Sequence, residues 1–343
     1  MRFPINIPPP AGEEVSHAVT ARWDSLTKPP GSLGYLEELV LRLALATDTP
    51  RPTVARKAMA IFCADHGVTA EGISAFPKEV TVQMAANFVR GGAAIHVLCQ
   101  QFGIAPYVVD AGVDGDPIAG TIDMRLGRGT ANFAVQPAMD IATAVQALHN
   151  GAGLARQLRA SCDIAAVGEM GIGNTTSASA LFCAYAGAAP GDAVGPGAGV
   201  DAAGVARKAE VIRRALALHE GVRDPVEILA ALGGFEIATM AGFLLGAASL
   251  RLPVVVDGFI SSAAALAAYT ISPGVLPYLL FSHVAAEPAH RRLLGAMGAR
   301  PILDLDMRLG EGSGAAMAMP VLDGALALYN RMATFAEGGV SNR

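Results

Sequence analysis

Six short runs of apolar residues recur along the chain, at 58–63, 105–109, 164–167, 253–256, 278–281 and 301–303. Each is apolar nearly throughout, without the alternation of a strand that keeps one face in water. Such runs fit strands buried on both faces, as in a parallel sheet. Between them lie Ala-rich segments with helical periodicity. The stretches 80–89 and 140–158 carry apolar stripes at a 3.6-residue period. The stretch 201–218 carries Arg207, Lys208, Arg213 and Arg214, mostly a solvated face. Residues 235–250 are apolar almost all round and predict a buried helix. Residues 317–335 predict a last helix. Strand-like runs alternating with helices give an α/β fold: a parallel sheet covered by helices on both faces.

Most of these runs end in an acid, a histidine or glycine. They lead to Asp65-His66-Gly67, Asp110 to Gly115, Gly168-Glu169, Asp257-Gly258, Ser282-His283, and Asp304 followed by Glu311. In open parallel sheets, ligands bind beyond the carboxyl ends of the strands. That is where this chain places its chemistry.

Two regions depart from the alternation. Residues 13–46 predict two helices joined by Thr27-Lys28-Pro29-Pro30-Gly31-Ser32-Leu33-Gly34. Residues 111–137 are rich in Gly, Asp and Pro with little periodicity, as expected of a functional or interface loop. No internal repeat is visible. The expected organisation is a helical segment over 1–50, a large α/β domain over 51–312, and a C-terminal helix over 313–343. The last of these returns to the first to form a small helical domain.

Composition narrows the class. Of 343 residues, 52% are hydrophobic and only 16% charged, which favours a large core and a buried subunit interface. The net charge of −5, with no basic run, argues against nucleic acid as a main partner. A mean hydropathy of +0.41 raises a membrane reading. However, the longest uncharged stretch, 258–282, is interrupted by Ser261, Ser262, Thr270, Ser272, Pro273, Gly274 and Pro277. It divides into a helix, a turn and a strand, too short and too polar to span. Residues 1–10 lack the basic-then-apolar pattern of a secretory signal. A soluble, cytoplasmic protein is expected. Cys63, Cys99, Cys162 and Cys183 have no paired spacing, so buried thiols are expected, with no protein-ligated metal.

The densest chemistry lies in Gly168-Glu169-Met170-Gly171-Ile172-Gly173-Asn174-Thr175-Thr176-Ser177, between a strand and a small-residue helical pattern over 177–189. Glycines admit a ligand close to the backbone, and a helix N-terminus attracts an anion. Asn174, Thr175 and Thr176 add side-chain donors. The stretch reads as a phosphate cradle or, more plainly, as a capped strand-to-helix turn. It is neither a dinucleotide fingerprint nor a P-loop. A carboxylate would repel phosphate, so Glu169 is expected to face another part of a substrate.

Glu311 stands in Arg308-Leu309-Gly310-Glu311-Gly312-Ser313-Gly314, before the last helix. Apolar neighbours would raise its pKa toward the range of a general base, while the plainer reading is an acid favoured by the helix dipole. Lys208 is either a point charge for phosphate or a solvated lysine. Asp257 is either a ligand for a ribose hydroxyl or a cap for the helix from Phe259. Asp65 and His66 are adjacent on an extended strand and point to opposite faces, so a loop role is expected rather than a catalytic dyad. No G-x-S-x-G elbow supports a Ser nucleophile.

Taken in order, Lys28-Pro-Pro-Gly-Ser-Leu-Gly34, Ala64-Asp-His-Gly-Val68, Lys78-Glu-Val-Thr81 with Gln83, the stretch 168–176, Asp257-Gly-Phe-Ile-Ser-Ser262, Ser282-His-Val-Ala-Ala-Glu-Pro288 and Leu309-Gly-Glu-Gly-Ser-Gly-Ala315 resemble one family over almost the whole chain. It is the nicotinate-nucleotide–dimethylbenzimidazole phosphoribosyltransferase family, of the lower-ligand branch of cobalamin synthesis. The resemblance implies transfer of the phosphoribosyl group of nicotinate mononucleotide to 5,6-dimethylbenzimidazole, giving nicotinate and α-ribazole 5′-phosphate. It implies a homodimer, a Rossmann-like large domain, and no metal or organic cofactor. By analogy Glu311 is the general base, and Gly171, Gly173, Asn174, Thr175, Thr176 and Lys208 hold the phosphate. Glu169 lies near ribose or nicotinate, and Phe76, Gln83 and Leu309 line the base pocket. Residues 74–76 are where acceptor preference is expected to vary. Adenine, other benzimidazoles or phenols stay open as acceptors. A nucleotide hydrolase and a non-catalytic nucleotide-binding module stay open as classes.

Overall fold

A computed structural model describes residues 3–197 and 199–341. Its frame is a sheet of seven parallel strands: β1 Lys57–Ala64, β2 Ile104–Gly112, β3 Ile122–Asp123, β4 Ile164–Met170, β5 Val254–Val256, β6 Leu279–Val284 and β7 Pro301–Asp304. The spatial order is β3-β2-β1-β4-β5-β6-β7. The chain therefore builds outward from β1 to one edge, returns to β4, and builds to the other edge. The order reverses between β1 and β4, which opens a crevice at their carboxyl ends.

The period of two along each strand divides the core between the faces. Ala60, Phe62, Val167, Val256 and Phe281 belong to one apolar cluster. Met59, Ile61, Ala166, Val255 and Leu280 belong to the other. Both faces are covered, which is why these strands read as continuous apolar runs.

The helices follow in chain order. The first four are α1 Glu13–Ser25, α2 Tyr35–Thr47, α3 Val80–Arg90 and α4 Ala94–Phe102. Next come α5 Ile141–Arg159, α6 Asn174–Ala186, α7 Pro190–Ala193, α8 Ala202–Leu218, α9 Pro225–Leu232 and α10 Phe235–Ser249. The last are α11 Phe259–Ile271, α12 His290–Ala296, α13 Ser313–Arg331 and α14 Phe335–Gly338. Three begin at aspartates that accept first-turn amides, as N-caps do: Asp140 from Thr143, Asp201 from Gly204, and Asp224 from Val226 and Glu227. Helix α10 is buried along nearly its whole length, packed beside α5 and α11. Trp23 of α1, Leu39 and Leu43 of α2, and Leu322 and Tyr329 of α13 share the cluster on the opposite face. The Trp23 and Tyr329 rings meet edge to face at 4.9 Å.

All six expected strands are present. The region 111–137 also contributes the short edge strand β3, whose two residues are too few to show a period. Helices α4, α7, α9, α12 and α14 were not among the expected elements. Helix α13 starts at Ser313, four residues before the expected start, and ends at Arg331. Among the described residues no helix is long and apolar enough to cross a membrane, and no three His, Cys, Asp or Glu side chains are grouped to hold a metal ion. The four cysteines are buried and unpaired.

Candidate active site

A cavity of about 250 Å³ lies over the carboxyl ends of the strands. Its apolar wall is made by Phe76, by Val80 and Met84 one turn apart on α3, and by Leu309. Its polar wall is made by Glu169 at the end of β4, His283 on β6, Glu287, and Glu311 in the loop before α13. A smaller recess of about 50 Å³ adjoins it, bordered by Gly173, Val200 and Lys208. Gly171, Ile172, Asn174 and Thr175 border both chambers.

Glu169 sits level with Phe62 of β1 in the central strand pair. It is 6% exposed, and Asn174 Nδ2 donates to its Oε2 at 2.5 Å. Burial, then the charge of Asp257, pushes its carboxyl up to about 8, against the pull of the Asn174 bond. At neutral pH the group is mostly protonated and presents little charge to an anion beside it.

Glu311 reaches the same cavity from a loop in left-handed conformation. Its φ is +63°, between Gly310 at +82° and Gly312 at +90°. A Cβ on Gly168 would lie 2.5 Å from both the Glu311 carbonyl oxygen and the Gly312 nitrogen, so this glycine lets the loop rest directly on β4. The Glu311 side chain is buried, and its Oε2 has no hydrogen-bond partner. Burial raises its pKa, the amide of Ile95 at the start of α4 lowers it, and the charge of Asp257 raises it again. An unpartnered carboxyl oxygen on an apolar-sided cavity is well placed to take a proton.

The recess is built on the first turn of α6. Gly173, at φ +93°, starts that helix, and Asn174 and Thr175 follow. Lys208 stands behind them, 3% exposed. Its Nζ donates to Thr175 Oγ1 at 3.2 Å and to the Gly195 carbonyl at 3.4 Å. Burial lowers the Lys208 pKa and the charge of Glu287 works against that. Glu287 is raised by burial and drawn down by Lys208. A helix N-terminus backed by a desolvated ammonium favours an anion.

The chain as a whole is similar to known proteins. The family described as Phosphoribosyltransferase matches residues 8–340. The chain is 49% identical over 346 residues to the nicotinate-nucleotide–dimethylbenzimidazole phosphoribosyltransferase of Cupriavidus necator, covering 99% of each. The chain belongs to the nicotinate-nucleotide–dimethylbenzimidazole phosphoribosyltransferase family. A relative with the same name from Xanthomonas euvesicatoria pv. vesicatoria is 51% identical, over 95% of this chain and 94% of its own. The fold is similar to the crystal structure of CobT from Thermus thermophilus, with a TM-score of 0.93 and 45% identity. That match covers 96% of this chain and 100% of the other.

Most of the residues that the resemblance to this phosphoribosyltransferase family singled out converge here. Glu169, Gly171, Asn174, Thr175, Phe76, Leu309 and Glu311 line the cavity, and Gly173 and Lys208 line the recess. Three do not reach either wall. Gln83 is exposed on α3, while its neighbours Val80 and Met84 face the cavity. Thr176 is fully buried, and its Oγ1 has no partner. Asp257 is buried with both carboxylate oxygens occupied: Oδ2 accepts from Gly312 N at 3.1 Å and Oδ1 from Ala315 N at 2.9 Å.

The sequence pattern gives His283 no role and His66 only a loop role. His283 lines the cavity, with Nδ1 2.9 Å from Ser282 Oγ and 3.9 Å from Asp257 Oδ1. Its signal was its place after a strand, shared with Glu169 and Asp257. His66 pairs with Glu236 at 2.6 Å, both side chains fully buried. A Cβ on Gly171 would lie 3.3 Å from His66 Nε2, so this pair underlies the glycine loop. The partners are 170 residues apart, and no local pattern joins them. Asp65, the neighbour of His66, instead accepts from Asp114 N at 2.8 Å.

Proposed function

We propose that the protein transfers the phosphoribosyl group of nicotinate mononucleotide to 5,6-dimethylbenzimidazole, releasing nicotinate and forming α-ribazole 5′-phosphate. The observation that carries the mechanism is Glu311, whose buried Oε2 lacks a partner on the wall of a cavity shared with Phe76, Val80, Met84 and Leu309. In this reading the acceptor ring lies against the apolar wall and the 5′-phosphate lies in the recess, between the first turn of α6 and Lys208.

Glu311 takes the N–H proton of the benzimidazole. The other ring nitrogen attacks ribose C1 from the face opposite the nicotinate. As the new C–N bond forms, the bond to nicotinate breaks, and its electron pair neutralises the pyridinium nitrogen. The leaving group needs no proton. C1 inverts from β to α. Glu169, mostly neutral, stands beside the ribose or the nicotinate without repelling the phosphate. Holding donor and acceptor in line supplies much of the rate.

The fuller reading is of a cytoplasmic homodimer in which residues 1–50 and 313–343 form one helical unit. The low charged fraction of 16% supports a buried subunit interface. Light scattering of the purified protein tests the dimer directly.

The reaction is tested by incubating the protein with nicotinate mononucleotide, with and without 5,6-dimethylbenzimidazole, and separating the products by chromatography. Glu311→Ala runs in parallel. Nicotinate release that depends on the acceptor, accompanied by a ribazole phosphate and lost in the variant, is the expected result. Release without an acceptor would make the protein a hydrolase. Release only with adenine or a phenol would keep the transferase and change its acceptor.

A further inference from the structure

We propose that Asp257 is the positioning residue for Glu311: from the end of β5 its carboxylate holds the Gly312 and Ala315 amides and so fixes the left-handed turn that aims Glu311 into the cavity. This inference rests on the proposed role of Glu311 and adds to it.

A helix start normally finds its cap in its own preceding side chain. Helix α13 cannot do so, because the residue before it is Gly312. Nor can that glycine be exchanged for a capping residue. A Cβ there would lie 2.7 Å from Met59 Sδ and 3.3 Å from Gly168 Cα, and its φ is +90°. The cap must therefore come from elsewhere in the fold. Asp257, 55 residues earlier, supplies it through Oδ2 to Gly312 N and Oδ1 to Ala315 N. The negative charge also suits the positive end of a 19-residue helix.

The bond to Gly312 N acts on the residue directly after Glu311. Glu311 has a side chain and yet sits at φ +63°, a conformation that must be imposed by its surroundings. Gly168 beneath the loop, the Ser313 N and Oγ bonds to the Gly310 carbonyl across the turn, and Asp257 beside it impose it together, and Asp257 is the one that acts from outside the loop and its helix through a side chain. Asp257 is 1% exposed and absent from the cavity wall, and each of its carboxylate oxygens already accepts a backbone amide of the α13 start. It thus acts through Glu311 rather than on substrate.

The test is a double-mutant cycle on the transfer reaction, using wild type, Asp257→Asn, Glu311→Gln and the double variant. Asparagine keeps the shape but sets an amide donor against one of the two backbone donors. The expected result is a kcat at least tenfold lower in D257N, with KM for nicotinate mononucleotide within about twofold of wild type. In the E311Q background the same substitution should cost almost nothing further. Should D257N not fold, Asp257→Ser removes both bonds with a smaller side chain, and the same comparison applies. A tenfold rise in KM with kcat kept would make Asp257 a substrate ligand and overturn the proposal, as would losses that multiply in the double variant. No transfer by wild type would overturn the reaction itself, and this inference with it.

Discussion

Gly310 and Glu169 meet across the mouth of the site: a Cβ on Gly310 would lie 2.7 Å from Glu169 Oε1. The loop that carries Glu311 and the strand end that carries Glu169 are thereby held in contact, and the missing side chain sets their separation. Gly310 also sits at φ +82°. Gly310→Ala should destabilise the fold by about 1–2 kcal/mol through backbone strain alone. It should also lower kcat more than tenfold by displacing one or both carboxyls. Thermal melts and steady-state kinetics check the two effects separately. A variant with wild-type kcat would show that this contact does not set the geometry of the site.

Glu169 gives a pH dependence of stability with a definite sign. Its folded pKa, about 8, lies above the ordinary carboxyl value of 4.5, because burial and the charge of Asp257 disfavour ionisation. The unfolded chain therefore releases this proton first as pH rises. The contribution of Glu169 to stability is fully present below about pH 4.5 and is lost progressively as pH rises through 8. Glu169→Gln keeps the acceptor for Asn174 and removes the ionisation. It should melt higher than wild type at pH 9, with the difference vanishing at pH 4.5. Melting curves at the two pH values decide it, and an equal difference at both would refute the assignment.

Much of this architecture could be read from the chain. The strands were legible because a parallel sheet covered on both faces leaves no wet side, so Ala58 to Cys63 or Ile164 to Val167 form unbroken apolar runs. Strand β3 was not, since its two residues, Ile122 and Asp123, show no period and are defined as a strand by pairing with Val109 and Asp110. The glycine loop and Glu311 were legible because each is a local pattern next to a helix. Lys208 looked solvated among Arg207, Arg213 and Arg214. Yet Val211, Ile212 and Ala215 follow it at three, four and seven residues, the spacing of a buried stripe, and all three are buried with it. Asp257 was harder. A local reading assigns it to the helix that follows it, whereas the structure gives its oxygens to α13, far along the chain. The His66–Glu236 pair exists only once the sheet has formed.

Lys208 should act on binding of the donor and not on chemistry. An ammonium bonded to phosphate is worth about 1.5–3 kcal/mol, and a phosphate is held alike in the ground and transition states. Lys208→Met should therefore raise KM for nicotinate mononucleotide about 10- to 100-fold and leave kcat nearly unchanged. Because burial lowers the Lys208 pKa, binding by wild type should weaken at a lower pH than an ordinary lysine would give. Steady-state kinetics across alkaline pH tests both statements. An unchanged KM in the variant would remove Lys208 from the phosphate site.

The acceptor wall gives the complementary separation. Phe76 is 49% exposed and Leu309 57% exposed, unusual for large apolar side chains that border a cavity. Half of each surface is still in water and is available to an aromatic ring that docks against it. Full burial of such a side chain is worth about 1.5–3 kcal/mol. Covering the remaining half therefore contributes about 1 kcal/mol, or a factor of about five. Phe76→Ala and Leu309→Ala should each raise KM for 5,6-dimethylbenzimidazole about three- to tenfold. KM for nicotinate mononucleotide and the melting temperature should stay close to wild type, because neither side chain fills the core or borders the recess. The methyl groups of the acceptor sharpen the test, since unsubstituted benzimidazole covers less apolar surface and should lose less in each variant. A rise in KM for the mononucleotide instead would place the donor's base, not the acceptor, against this wall.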